Sequence, residues 1–315
     1  MRQTIFTLLL FCTIGLFSCR KDKFEPTIKQ YDQTQILNYI KANHITGMVE
    51  DTVGGDTSGI WYKILRPGPQ VTANGTPIPP MQYTDQISFI FTIKTFDGLY
   101  SLTDTLGDNH FEGFLGHVTN SNLPLGLQTA LINDLKYYGG SMRVLVPSHL
   151  AYGVNGTGSG SQETANSHIA GNQCLDYYVN TINNQPAYDQ QVIKSYMADT
   201  LKGYSETADG LWYKILTPGT GTDPITINST ITYTDTGQLF DAVIFDAASN
   251  GTTPGTADID ALIPGVQEGL INHAVTGTKI SLLVPSALGY GIVAQSGIPA
   301  NSCLRFTFIV QSTAP

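Results

Sequence analysis

Two stretches with helical spacing each introduce a run of short, alternating segments. In the first, Ile36, Leu37 and Ile40 form an apolar stripe after Tyr31-Asp32-Gln33; in the second, Val192, Ile193, Tyr196 and Leu201 do so after Tyr188-Asp189-Gln190. Each stripe leads into Gly-(Ile/Leu)-Trp-Tyr-Lys-Ile-Leu, at 59–65 and 210–216, and then a Pro-Gly turn at 67–68 and 218–219. Farther on, Val144-Leu145-Val146-Pro147-Ser148 is echoed by Leu282-Leu283-Val284-Pro285-Ser286, and a Tyr-Gly pair follows each, at 152–153 and 290–291. Each half closes on an alternating strand, Cys174 to Val179 and Cys303 to Val310. In the second of these Leu304, Phe306, Phe308 and Val310 share one face, and Cys303, Arg305 and Thr307 the other. A long period with two copies is a duplicated domain, with its boundary near 183–187, where Asn-Asn-Gln-Pro breaks the pattern. One apolar face per strand implies antiparallel sheets covered on one side. The mid-unit helix of the second half, Gly265 to Asn272, is short. The expected class is α+β: two units, each a bent antiparallel sheet wrapped round one short helix and preceded by an N-terminal helix.

Composition narrows the setting. Only 13% of the 315 residues are charged, while Gly (32), Pro (16) and Tyr (16) are plentiful, which suits strands and turns. A net charge of −9 argues against nucleic acid as a partner. At the start, Arg2 precedes an apolar run from Ile5 to Phe17 of signal-peptide length. The run ends Leu16-Phe17-Ser18-Cys19, which resembles the lipobox of bacterial lipoproteins, with Phe17 bulkier than usual. That resemblance implies a signal peptide at 1–18, an acylated Cys19 held in the bilayer, and a polar tether at 19–30. The two units then occupy 31–183 and 187–315. The expected place is the bacterial cell envelope, lipid-anchored at the outer membrane and periplasmic or surface-facing. With Cys12 removed, Cys174 and Cys303 remain, either as free thiols or as a bridge between the units. No zinc spacing exists, and His110, Glu112 and His117 read as a solvated loop, so neither metal nor cofactor is expected.

The second unit carries five motifs in order. Thr232-Tyr233-Thr234 precedes Asp241-Ala242-Val243-Ile244-Phe245-Asp246. Leu262-Ile263-Pro264-Gly265-Val266-Gln267-Glu268-Gly269 follows, then Val284-Pro285-Ser286 with Gly289-Tyr290-Gly291, and Ile298-Pro299-Ala300-Asn301 before Leu304-Arg305-Phe306. Over roughly 210–312 this unit resembles an FKBP-type peptidyl-prolyl isomerase domain, and the helix-plus-domain repeat resembles secreted lipoproteins of the Bacteroidetes type. The resemblance implies that Tyr233, Phe245, Asp246, Tyr290 and Phe306 are catalytic and that Leu262, Ile263, Val266 and Ile298 bind substrate. Tyr290 would donate to a substrate carbonyl, and Asp246 would form the polar edge.

The chemistry fits residues of this kind. Rotation about an X-Pro bond faces a barrier of about 18–20 kcal/mol from amide resonance. An apolar, aromatic cradle lowers it by disfavouring the charge-separated planar amide, without nucleophile or metal. Three departures from the family pattern stand out: Val266 replaces a tryptophan, the segment from Ser249 to Asp258 lacks the aromatic expected before the short helix, and two extra residues separate Tyr233 from Phe245-Asp246. In unit one Phe91 takes the place of the tyrosine and Ser101-Leu102 that of Phe-Asp, so it is expected to be a degenerate copy. The implied function is isomerisation of X-Pro bonds in exported proteins, with proline-containing segments as partners. The alternative is a non-catalytic peptide-binding holdase on the same scaffold.

Overall fold

The computed structural model describes residues 26–53, 58–102, 110–116, 123–157, 166–198, 201–246 and 254–315. Two seven-stranded sheets form the framework of the chain. The first runs β1 (Val49–Glu50), β2 (Trp61–Arg66), β6 (Ser141–Val146), β7 (Leu175–Thr181), β3 (Gln86–Thr95), β4 (Ser101–Leu102), with β5 (His110–Phe114) also on β3. The second repeats that order as β8 (Ser205–Glu206), β9 (Trp212–Thr217), β13 (Lys279–Val284), β14 (Leu304–Ala314), β10 (Thr230–Leu239), β11 (Ile244–Asp246), with β12 (Gly255–Asp258) on β10. Their ladders are antiparallel. The fold is thus the expected α+β class.

A short helix packs into the core on one face of each sheet: α2 (Leu125–Ala130), which continues into a π turn, and its counterpart Pro264–His273. Close approach is what demands glycine here. A Cβ on Gly126 would stand 2.5 Å from Val146 Cγ1, and one on Gly265 would stand 2.6 Å from Val284 Cγ1. Gln128 and Gln267 each donate back to a carbonyl five residues earlier, Leu123 O at 2.9 Å and Leu262 O at 2.7 Å, fixing the helix entry. The alternation in β14 is as read: Leu304, Phe306, Phe308 and Val310 are buried in the core.

The leading helices pack on the opposite faces. α1 (Ile28–Ala42) starts earlier than the sequence suggests, because Thr27 and Gln30 form a reciprocal capping box. Residues 28–30, expected in the tether, are therefore helical. Leu37, placed in the buried stripe, is 45% exposed, and Tyr39 turns inward in its stead. α3 (Gln185–Ala198) likewise begins within the expected boundary segment; Leu201 lies past its end yet joins the same apolar cluster. The short core helix of unit two is α4 (Pro264–His273). Tyr39 stacks on Phe96 at 3.9 Å and Tyr196 on Phe240 at 4.0 Å, the same contact made twice.

The repeated Tyr-Asp-Gln has a structural cause. Asp32 and Asp189 are both 1% exposed. Asp32 accepts from Ser148 Oγ at 2.7 Å and His149 N at 3.1 Å, and its Oδ2 lies 2.7 Å from His149 Nδ1. Asp189 accepts from Ser286 Oγ at 2.6 Å, Ser286 N at 2.8 Å and Gln185 Nε2 at 2.7 Å. Each carboxylate pins its leading helix to the Val-Pro-Ser corner of its sheet. Beside them Cys174 and Cys303 are buried and free, so no bridge joins the units. Burial first, and the neighbouring aspartate second, push the Cys174 thiol up to about 12 and Cys303 well above its ordinary value. The signal peptide and Cys19 lie outside the described residues.

Candidate functional site

The site of unit two is built on the inward face of β10 and β14. Ile231, Tyr233, Asp235, Gly237 and Leu239 alternate inward along β10. Gly237 faces Phe306 across the ladder, and a Cβ there would stand 2.7 Å from Phe306 Cε1 and 2.8 Å from Phe245 Cε2. Only a glycine lets both rings close over the strand. β11 brings the second ring in by a bulge: Gly237 pairs with Asp246 and Gln238 with Ile244, leaving Phe245 between them. Phe245 then meets Phe306 edge to face, with ring centroids 5.7 Å apart. The turn feeding β11 puts Ala242 at φ 71°, where unit one has Gly98 at φ 75°. A left-handed alanine carries a local cost of about 1–2 kcal/mol.

The remaining predicted residues converge on this core. Val266, Ile298 and Phe306 are buried in it, and Tyr233, Phe245, Leu262, Ile263 and Tyr290 pack against it half-buried. Val266, at 1% exposure, is fully enclosed in that core. Asp246 is exposed at the rim. Burial holds the phenols of both Tyr233 and Tyr290 above their ordinary range, and the Asp246 carboxylate adds to it in both cases. Both hydroxyls therefore stay protonated donors across the neutral range.

The register corrects one assignment. Val146 pairs with Leu175 and Val284 with Leu304, so Tyr177 in unit one corresponds to Phe306. Ile93 faces Tyr177 and Phe91 faces Val179, whereas Gly237 faces Phe306 and Asp235 faces Phe308. The counterpart of Phe91 is thus Asp235, and that of Tyr233 is Phe89. Tyr233 lies two positions before the counterpart of Phe91, tilted against Phe308 at 5.3 Å. The two extra residues vanish with this shift: Asp235 precedes Asp246 by eleven positions, as Phe91 precedes Leu102. Asp235, 4% exposed, is an inward-facing carboxylate that the motifs missed. The constant spacing between repeats was the signal for it.

Unit one closes the equivalent space with its own side chains. Ile93, 4% exposed, stands where Gly237 leaves room for the rings. Tyr177 is buried and hydrogen-bonded to Tyr152, and burial carries its hydroxyl well above the ordinary range. Leu102 stands where Asp246 does. Cavities of about 360 and 600 Å³ do open on unit one, around Tyr31, Asn172 and His149 beside α1, but none of the predicted site residues lines them. The convergence of rings, carboxylates and hydroxyls marks the candidate site better than open volume does.

Residues 221–310 match the family model for the FKBP-type peptidyl-prolyl cis-trans isomerase. The chain is 40% identical over 106 residues to the FKBP-type peptidyl-prolyl cis-trans isomerase FkpA of Buchnera aphidicola from Schizaphis graminum, covering 34% of this chain and 42% of that protein. It is 37% identical over 98 residues to the outer membrane protein MIP of Legionella longbeachae, covering 31% and 41%. The crystal structure of FkpA from Escherichia coli aligns with a TM-score of 0.37 and 30% identity, over 42% of this chain and 60% of that one. The chain thus spans less than half the length of these two sequence relatives. Unit two contains an FKBP-type peptidyl-prolyl isomerase domain, homologous to those of FkpA and Mip.

Proposed function

We propose that this chain is a peptidyl-prolyl cis-trans isomerase of the bacterial cell envelope, acting on X-Pro bonds of exported proteins through unit two. The observation that carries this is the edge-to-face pair Phe245–Phe306 seated on Gly237, with Asp246 at the rim and Tyr290 against the same core, inside the segment matching the isomerase family. A proline ring held on these rings leaves water, and its amide loses the solvation that favours the planar, charge-separated form. Tyr290 donates to a carbonyl flanking the bond, and Asp246 orients the polar edge. Unit one is a second, degenerate copy of the same domain. Acylation of Cys19 anchors the chain, with 19–27 as the tether; loss of labelled-palmitate incorporation in Cys19→Ser is its test.

The full-length protein should accelerate a proline-limited refolding reaction. Tyr290→Phe should cut that acceleration several-fold with little loss of stability, since one net hydrogen bond is worth about 0.5–1.5 kcal/mol. A wild-type chain that suppresses aggregation of the refolding protein without speeding it would make the holdase the correct reading.

A further inference from the structure

One rung of the unit-one sheet makes hydrogen bonds beyond that unit. Ser88 and Glu112 are direct partners in the β3–β5 ladder. Ser88 Oγ donates to Gln185 Oε1 at 3.4 Å, and Ser88 O accepts from Ile182 N at 2.9 Å, where the chain enters α3. Glu112 uses both oxygens. Oε1 accepts from Gln86 Nε2 at 2.9 Å within unit one, and Oε2 accepts from Asn301 Nδ2 at 3.0 Å in unit two. The solvated loop expected around Glu112 is instead a strand whose side chain bridges the units; His117 lies outside the described residues.

Asn301 closes the loop that walls the candidate site. It is 5% exposed and left-handed at φ 57°, a conformation asparagine tolerates better than most residues. Its N–H donates to Gly291 O at 2.7 Å, tying off the segment that leaves Tyr290 and returns through Ile298. A buried carboxamide needs a partner. Glu112 supplies one, itself steadied by Gln86.

We propose that Glu112 is a positioning residue by which unit one sets the shape of the 291–301 loop of unit two. The carboxylate acts through Asn301, so Ile298 is held against the ring cradle without Glu112 touching substrate. The consequence for turnover rests on the isomerase reading above; the consequence for the loop does not.

The test uses the full-length chain, with a proline-containing tetrapeptide as substrate and hydrogen exchange read along 291–301. Glu112→Ala should raise KM about threefold to tenfold, the scale of one ordinary net hydrogen bond, and leave kcat within twofold. It should also speed exchange at Asn301 and through the loop, with β13 and β14 unaffected. Glu112→Gln keeps an oxygen that accepts from Asn301 and should restore both readouts. Asn301→Ala should match Glu112→Ala, and the double variant should be no worse than either. Unchanged loop exchange in Glu112→Ala overturns the proposal, as does exchange that rises equally across the whole of unit two. If the wild-type chain is inactive, the isomerase reading fails and loop exchange alone decides the positioning role.

Discussion

Replacing Phe306 with alanine is expected to abolish prolyl isomerisation and to destabilise unit two by about 3–5 kcal/mol, the usual cost of emptying a buried phenylalanine site. Phe306 is 4% exposed, so lost activity alone could reflect lost folding. Phe245→Ala separates the two effects. Its ring is half-buried and meets Phe306 edge to face, so its removal should cost less stability yet lower kcat/KM at least tenfold, about 1.4 kcal/mol of transition-state stabilisation. In unit one, Tyr177→Phe deletes the hydroxyl bonded to Tyr152 at the position matching Phe306 and should leave activity unchanged. These three variants, assayed on one tetrapeptide with a melting curve for each, decide the matter. Near-wild-type turnover in Phe245→Ala would remove the rings from the mechanism, and a several-fold loss in Tyr177→Phe would make unit one catalytic.

The second large effect is expected at Asp189. Its carboxylate is 1% exposed and holds Ser286 through both N–H and hydroxyl, with Gln185 as a third donor. Asp189→Ala leaves those groups without their acceptor inside the molecule, where an unmet polar group costs about 1–3 kcal/mol. A loss of about 3–5 kcal/mol follows for breaking the network as a whole. In a unit of this size that lowers the melting midpoint by on the order of 10 °C. Asp32→Ala should do the same to unit one and leave unit two's transition in place. Calorimetry on the full chain reads both at once, and a loss below about 1 kcal/mol for either would show that the helices are held by apolar packing alone.

How much of this could be read from the sequence depends on the range of the interaction. The β14 alternation, the Trp-Tyr-Lys-Ile-Leu strands and the short glycine-entered helix are local patterns, and they stand where the spacing put them. The repeated aspartates were visible as a motif, but their serine partners lie more than ninety positions away and only the folded chain names them. Tyr233, in its Thr-Tyr-Thr frame, lies two residues out of step with Phe91, and the eleven-residue distance shared by Asp235–Asp246 and Phe91–Leu102 is the pattern that reveals the offset. Leu37 satisfied the helical stripe as well as Tyr39 does; stacking on Phe96, a tertiary fact, chose between them. Nothing in the sequence pointed from Glu112 to Asn301, which belongs to the other unit.

The placement of the two free cysteines gives the protein a pair of built-in clocks. Cys174 lies in the cluster under α1 and Cys303 in the one under α3, one thiol for each unit. Burial keeps both protonated, and a protonated, covered thiol is a poor nucleophile. An alkylating reagent added to the native protein therefore waits for each helix to lift away, and the mass increments at the two sites time the opening of the two units separately, without any engineered label.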